Sequence, residues 1–151
     1  CWCLENKPDI VHLSLGTKSF FYSFALRKII KEAHKNNILV VAAHDNSQGT
    51  SYPASLRGIF GVKGVEELSK NEFSHSKNIW LAPIGIDGIT GTNELKESRH
   101  NLFGNSMAAA YITGHIAKIV YETGTKNFKS ISHILSQQQV KMHQISKKIR
   151  C

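Results

Sequence analysis

Residues 38 to 43 read Ile-Leu-Val-Val-Ala-Ala, an apolar run without a polar break. A strand with one wet face alternates apolar and polar residues, so an unbroken run predicts a strand covered on both faces. Parallel sheets sandwiched between helices provide that environment. The preceding residues agree. Asp9 to Gly16, "DIVHLSLG", alternates Ile10, His12 and Ser14 against Val11, Leu13 and Leu15 and ends in glycine, which predicts a strand. Between the two, "SFALRKIIKEAHKNN" places Ala25, Leu26, Ile29, Ile30 and Ala33 at helical spacing. Ser23 is the expected N-cap and Asn36-Asn37 the expected stop. Strand, helix and buried strand in that order define a right-handed parallel βαβ unit.

Further along, Ile59 to Val65 and Ile79 to Gly85 read as strands, with "SYPASLRG" as a loop before the first of them. Asp87 to Arg99 is polar and rich in Gly, Thr and Glu, which predicts a loop or hairpin. Ser106 to Tyr121 is the longest helical pattern, with Ile112, Ile116, Ile119 and Val120 on one side, and "SISHILSQQQV" is a weaker last helix capped by Ser130. The expected class is α/β, an open and mostly parallel sheet flanked by helices.

The chain has 151 residues, 41% apolar and 20% charged, which suits one domain over 1–151. No run approaches the length needed to span a bilayer, and no signal segment opens it. The net charge is +8, with Lys141, Lys147, Lys148 and Arg150 in an acid-free tail. No aromatic residue interrupts that tail to stack on bases, so it reads as a solvated face rather than a nucleic-acid site. Cys1, Cys3 and Cys151 lie at the termini; an odd count is no closed disulfide framework and Cys-x-Cys alone is poor zinc spacing, so they read as ordinary thiols. No His-x-x-x-His pair occurs, so no metal site is expected.

In open α/β sheets functional groups gather at the carboxyl ends of the strands. Three segments converge there: "SLG" after the first strand, "HDN" after the buried one, and Gly104-Asn105-Ser106 at the mouth of the long helix. Ser106 admits two readings. It caps the helix, or it is a nucleophile beside unpaired N–H groups.

Four stretches resemble the C-terminal half of the catalytic domain of the subtilases, the subtilisin-like serine proteases. "HLSLGT" resembles the family's Ser-Leu-Gly strand, which pairs with substrate. "ILVVAAHDNSQGTSYPAS" resembles the segment bearing the oxyanion asparagine and its Tyr-Pro-Ala loop. "FSHSKNIWLAPIG" resembles the Phe-Ser…Ala-Pro-Gly stretch, and "GNSMAAAYITG" the nucleophile motif. The resemblance implies an incomplete subtilisin-like fold and a serine endopeptidase with an acyl-enzyme mechanism. Ser106 is then the nucleophile, and Ser14, Leu15, Gly16 and Gly104 contact substrate. Either Asn46 or Asp45 is the oxyanion donor. An ungapped match sets Asp45 on the family asparagine and a one-residue slip sets Asn46 there; an amide donates where an ionised carboxylate repels, which favours Asn46 or a protonated Asp45.

The departures are Asn105, Ala110 and Tyr111, where the family usually has Thr, Pro and His. The family's Asp-Thr/Ser-Gly and His-Gly-Thr motifs, which carry the other two triad members, are absent from these residues. The expectation is therefore a fragment, quiet by itself, whose partners are a peptide or protein substrate and the N-terminal half of the same domain. Calcium is a cofactor the family admits, with no ligand set locatable here, and no other cofactor is evident. Subtilases are mostly secreted, but nothing in these residues assigns a compartment. The competing class is a non-catalytic relic or peptide-binding module using the same sheet edge. An α/β-hydrolase fits less well, because Ala108 stands where its motif needs glycine and "KESRHNLF" is too polar for a buried strand.

Overall fold

The structure is a computed structural model that describes residues 2–47, 49–69, 71–85 and 103–140. A short helix α1 (Trp2–Asn6) leads into β1 (Ile10–Leu13), α2 (Phe21–Lys35), β2 (Leu39–Ala43) and β3 (Phe60–Val65). A hairpin of β4 (Ser74–Ser76) and β5 (Ile79–Pro83) follows, and then α3 (Asn105–Thr123) and α4 (Phe128–Gln138). The sheet order is β1-β2-β3-β5-β4. β1, β2, β3 and β5 are parallel, and β4 alone runs antiparallel, on the edge against β5. The fold is α/β, as the continuous apolar run requires.

All five residues of β2 are buried. Leu39, Val41 and Ala43 face a core closed by Ile112, Ile116 and Ile119 of α3 and Ile131 and Leu135 of α4. Val40 and Ala42 face the other way, toward Ile30 and Ala33 of α2 and toward Ala54, Leu56 and Ile59. A strand between two helix layers has no polar face to show, which is why its sequence lacks alternation.

Several local expectations are corrected. β1 stops at Leu13, so Ser14, Leu15 and Gly16 lie beyond the strand rather than in it. α2 begins at Phe21, after an N-cap Phe20 that makes no side-chain cap bond. Ser23 is therefore no cap; it is wholly buried inside the helix, and its Oγ has no partner among the described residues. The buried residues of α2 are Ser23, Ile30 and Ala33, with Leu26 half-buried beside them, and Ala25 and Ile29 turn to solvent. The serine takes the place on the apolar stripe that spacing alone gave to its neighbours. α4 is capped by Asn127 rather than Ser130: the Asn127 Oδ1 accepts from the N–H groups of Lys129 and Ser130 at 3.0 and 3.2 Å. The 87–99 stretch, the basic tail, Cys1 and Cys151 lie outside the described residues, and Cys3 is a half-buried free thiol.

Candidate active site

α3 begins where a side chain could not. Gly104 is its N-cap, with φ +138°, a region L side chains rarely adopt. A Cβ there would stand 3.4 Å from both amide atoms of Asn46. Ser106 is thus the second helical residue and not the cap, which overturns the capping reading of this serine. It is half-buried, and no hydrogen bond engages its Oγ among the described residues. At this position its N–H has no carbonyl within the helix to bond, and it points out of the positive end of the helix dipole.

The mouth of α3 is stitched to the end of β2 by two asparagines. Asn46 Oδ1 accepts the Asn105 N–H at 3.0 Å. Because a backbone N–H can only donate, that bond fixes the oxygen of the Asn46 amide and leaves its Nδ2 as the free donor. Asn105 is buried and fully engaged: Oδ1 accepts the Gly64 N–H at 2.7 Å, and Nδ2 donates to the carbonyls of His44 and Asp45 at 3.0 and 3.1 Å. Motif matching noted Asn105 only as a departure from threonine. Its role was not visible there, because its partners lie 41 to 61 positions away in the chain.

Asp45 is held differently. Its carboxylate accepts from the N–H and the hydroxyl of Ser47, and Lys18 Nζ stands 3.8 Å away. Those hydrogen bonds, with Lys18 adding a smaller effect, hold its pKa below the ordinary carboxylate value. Asp45 is therefore an ionised acceptor, and a protonated Asp45 donor does not fit.

The segment after β1 reaches the same end of the sheet. Thr17 and Tyr52 exchange two backbone hydrogen bonds of 2.8 Å, and the Asp45 N–H donates to buried Ser51 Oγ at 3.0 Å. A Cβ on Gly16 would lie 3.1 Å from the Tyr52 carbonyl and 3.5 Å from Ser51 Oγ, so glycine permits this approach. Ser14 and Leu15 are exposed, Leu15 at 67%. Ser14 Oγ lies 2.7 Å from His12 Nε2, and His12 Nδ1 lies 2.8 Å from Thr113 Oγ1 on α3. Sequence reading had no signal for this His12 contact, since Thr113 is 101 residues away.

A hollow of about 380 Å³ opens between Asp45, Asn46, Lys63, Gly64, Phe103, Gly104 and Asn105. Among the described residues no group of three or more His, Cys, Asp or Glu is placed to hold a metal ion.

A mostly parallel sheet flanked by helices, with a glycine-capped helix that carries a serine in its first turn and an asparagine amide beside it, places the chain in the α/β class. A sequence model of the Subtilase family matches residues 2–148, and the chain belongs to that family of serine proteases. It is 34% identical over 129 residues to the major intracellular serine protease of Bacillus subtilis (strain 168), covering 78% of this chain and 39% of that protein. It is 30% identical over 131 residues to the thermostable alkaline protease of Halalkalibacterium halodurans, covering 83% and 36%. Among solved structures, that of the prenylagaramide maturation protease PagA superposes with a TM-score of 0.57 at 22% identity, over 83% of this chain and 49% of that one. That likeness concerns the fold. The chain spans less than half the length of each of these relatives.

Proposed function

We propose that this chain carries the nucleophile and the oxyanion donors of a serine endopeptidase acting on peptide or protein substrates. The observation that carries the reading is the junction at Gly104. Asn46 is anchored through its oxygen to the Asn105 N–H, so its Nδ2 and the Ser106 N–H are two donors at the mouth of one helix. Ser106 Oγ attacks the scissile carbonyl. The tetrahedral oxyanion is held by those donors; its collapse breaks the C–N bond, the amine leaves with the proton taken from Ser106, and water hydrolyses the remaining acyl-enzyme. Ser14, Leu15, Gly16 and Gly104 line the approach of the peptide. Asp45 is left as a structural acceptor that pins the loop.

The reading requires a histidine base and its aspartate from outside these 151 residues, because a serine hydroxyl is a poor nucleophile without an adjacent base. The test is performed on the polypeptide that joins this chain to those motifs. Stoichiometric labelling by a fluorophosphonate, abolished in Ser106→Ala, supports the reading. Asn46→Ala is expected to lower kcat about 10²–10³-fold with KM nearly unchanged, a magnitude for which subtilisin, of this same family, is the standard case. Absence of labelling with retained peptide binding would replace the peptidase by a peptide-binding relic.

A further inference from the structure

The two hydrogen bonds of His12 have a direction. Thr113 Oγ1 donates to the Ala109 carbonyl at 2.8 Å, the back-bond common for hydroxyls in helices. A hydroxyl has one proton, so in its 2.8 Å contact with His12 Nδ1 the Thr113 oxygen accepts. Nδ1 therefore bears the proton of the neutral ring, and Nε2 is the lone-pair nitrogen. Its 2.7 Å neighbour is Ser14 Oγ, which donates to it. Ser14 thus has its only proton committed to His12. What it turns outward is an oxygen that can only accept.

The same geometry locates that oxygen. β1 is parallel to β2, and α3 enters beside the residues leaving β2, so α3 runs back along the strands. Ser106 precedes Thr113 by seven residues, which is nearly the same helix face and about 10.5 Å along the axis. Ser14 lies just past the end of β1, farther along the same direction, and its contact with His12 Nε2 keeps it on the side of the chain that faces α3. Ser106 and Ser14 are therefore both displaced from the His12–Thr113 contact toward the end of the sheet where α3 begins. Ser14 is exposed, and the group offered to it by a peptide is the backbone N–H.

Resting on the peptidase reading above, we propose that Thr113, His12 and Ser14 form a directed relay. In it His12 is a positioning residue that presents Ser14 Oγ as an acceptor for a backbone N–H of the peptide held beside Ser106. Thr113 sets the imidazole tautomer, the tautomer sets the polarity of Ser14, and Ser14 selects an amide donor.

The first test reads the tautomer in the 151-residue chain by long-range ¹H–¹⁵N correlation at a pH where the ring is neutral, with His12→Gln assigning the signals. The expected result is an Nδ1–H tautomer that Thr113→Val abolishes and Thr113→Ser restores. An Nε2–H tautomer in the unsubstituted chain, or no change in Thr113→Val, overturns the proposal. Should Thr113→Val fail to fold, Ser14→Ala at an exposed site serves instead: loss of its donor must move the Nε2 resonance, and an unmoved resonance overturns the relay. The second test uses the active polypeptide with peptides in which single amide N–H groups near the scissile bond are replaced by ester oxygen. One replacement is expected to lower kcat/KM about tenfold more in the unsubstituted enzyme than in Ser14→Ala, the coupling of one lost hydrogen bond. Equal losses in both for every replacement overturn the acceptor role. Failure of Ser106 labelling with the Nδ1–H tautomer intact sinks the peptidase reading alone, whereas labelling with the opposite tautomer sinks only the relay.

Discussion

The two faces of the sheet are closed in different ways. On one, α3 and α4 cover β2, β3 and β5 with a continuous core in which Phe60, Ile112, Ile116, Ile131 and Leu135 are fully enclosed. On the other, α2 contributes only Ile30 and Ala33 as buried apolar side chains, while Phe21, Tyr22 and Phe24 stand 88%, 62% and 66% exposed. The difference lies in what each helix must do. α3 begins at the candidate site, and its position decides whether Gly104, Asn105 and Ser106 meet Asn46. α2 joins two neighbouring strands whose pairing is already fixed by their register. Burial is therefore deeper under the helix that opens at the candidate site, and the connecting helix covers its face with a narrow stripe.

This comparison breaks most visibly at Ile112. Ile112→Ala should cost about 2–5 kcal/mol in urea unfolding, because it leaves a cavity in the closed core. Ile29→Ala on α2, at a half-exposed site, should stay within about 0.5 kcal/mol. Equal losses at the two positions would refute the contrast between the faces.

The polar stitch ranks next. Asn105→Ala removes one acceptor and two N–H donors, leaving the Gly64 N–H and the His44 and Asp45 carbonyls without this partner. A loss of about 1–3 kcal/mol follows if those groups stay dry. Asn105→Ala should also disorder the Ser106 turn, read as faster amide exchange at residues 104–107. Unchanged exchange would show that the helix mouth is held by packing alone.

Acid probes both faces together. Burial lowers the pKa of His44, with Lys63 adding to it, and likewise lowers that of His115, with Lys118 adding to it; His75 is lowered by burial only. His44 stands over Gly61 on the α2 side, and His115 packs against Phe73 on the α3 side. Each ring is thus neutral when folded and binds its proton more readily when unfolded. Their stabilising contribution is complete above the ordinary value of 6.5 and declines as pH falls through it toward the lowered folded values. Unfolding midpoints measured from pH 8 to 5 should fall over that window, and His44→Gln should flatten part of the slope. A midpoint independent of pH there would contradict neutral rings held by burial at His44 and partial burial at His75 and His115.

The smallest effect belongs to the aromatic stripe. Phe24→Ser should change stability by less than about 1 kcal/mol, because its side chain is mostly in water already and its main neighbour is the edge of Phe20. Light scattering at high concentration should fall in the same variant, since exposed aromatic surface favours self-association. Strong destabilisation would mean that α2 is packed more like α3.

What the sequence determined by itself was whatever repeats locally or is spelled out in consecutive residues. The apolar run 38–43 established a parallel α/β sheet, the periodicity of Ile112, Ile116 and Ile119 established the buried side of α3, and the Gly-Asn-Ser-Met order marked the helix mouth. Periodicity was less reliable where the buried face included a polar residue: Ser23 entered the core of α2, and Ile29 left it. The caps also escaped, because Gly104 and Asn127 were chosen by backbone angle and geometry over the better-known serines beside them. Only the tertiary structure decided what depends on distant chain segments meeting. Asn105 binds Gly64, His44 and Asp45, and Asn46 is oriented by the Asn105 N–H. His12 meets a threonine on another element, 101 residues away. A hydrogen bond is directional and short, so the role of a polar side chain is set by whichever partner the fold brings within about 3 Å, and no spacing along one chain encodes that.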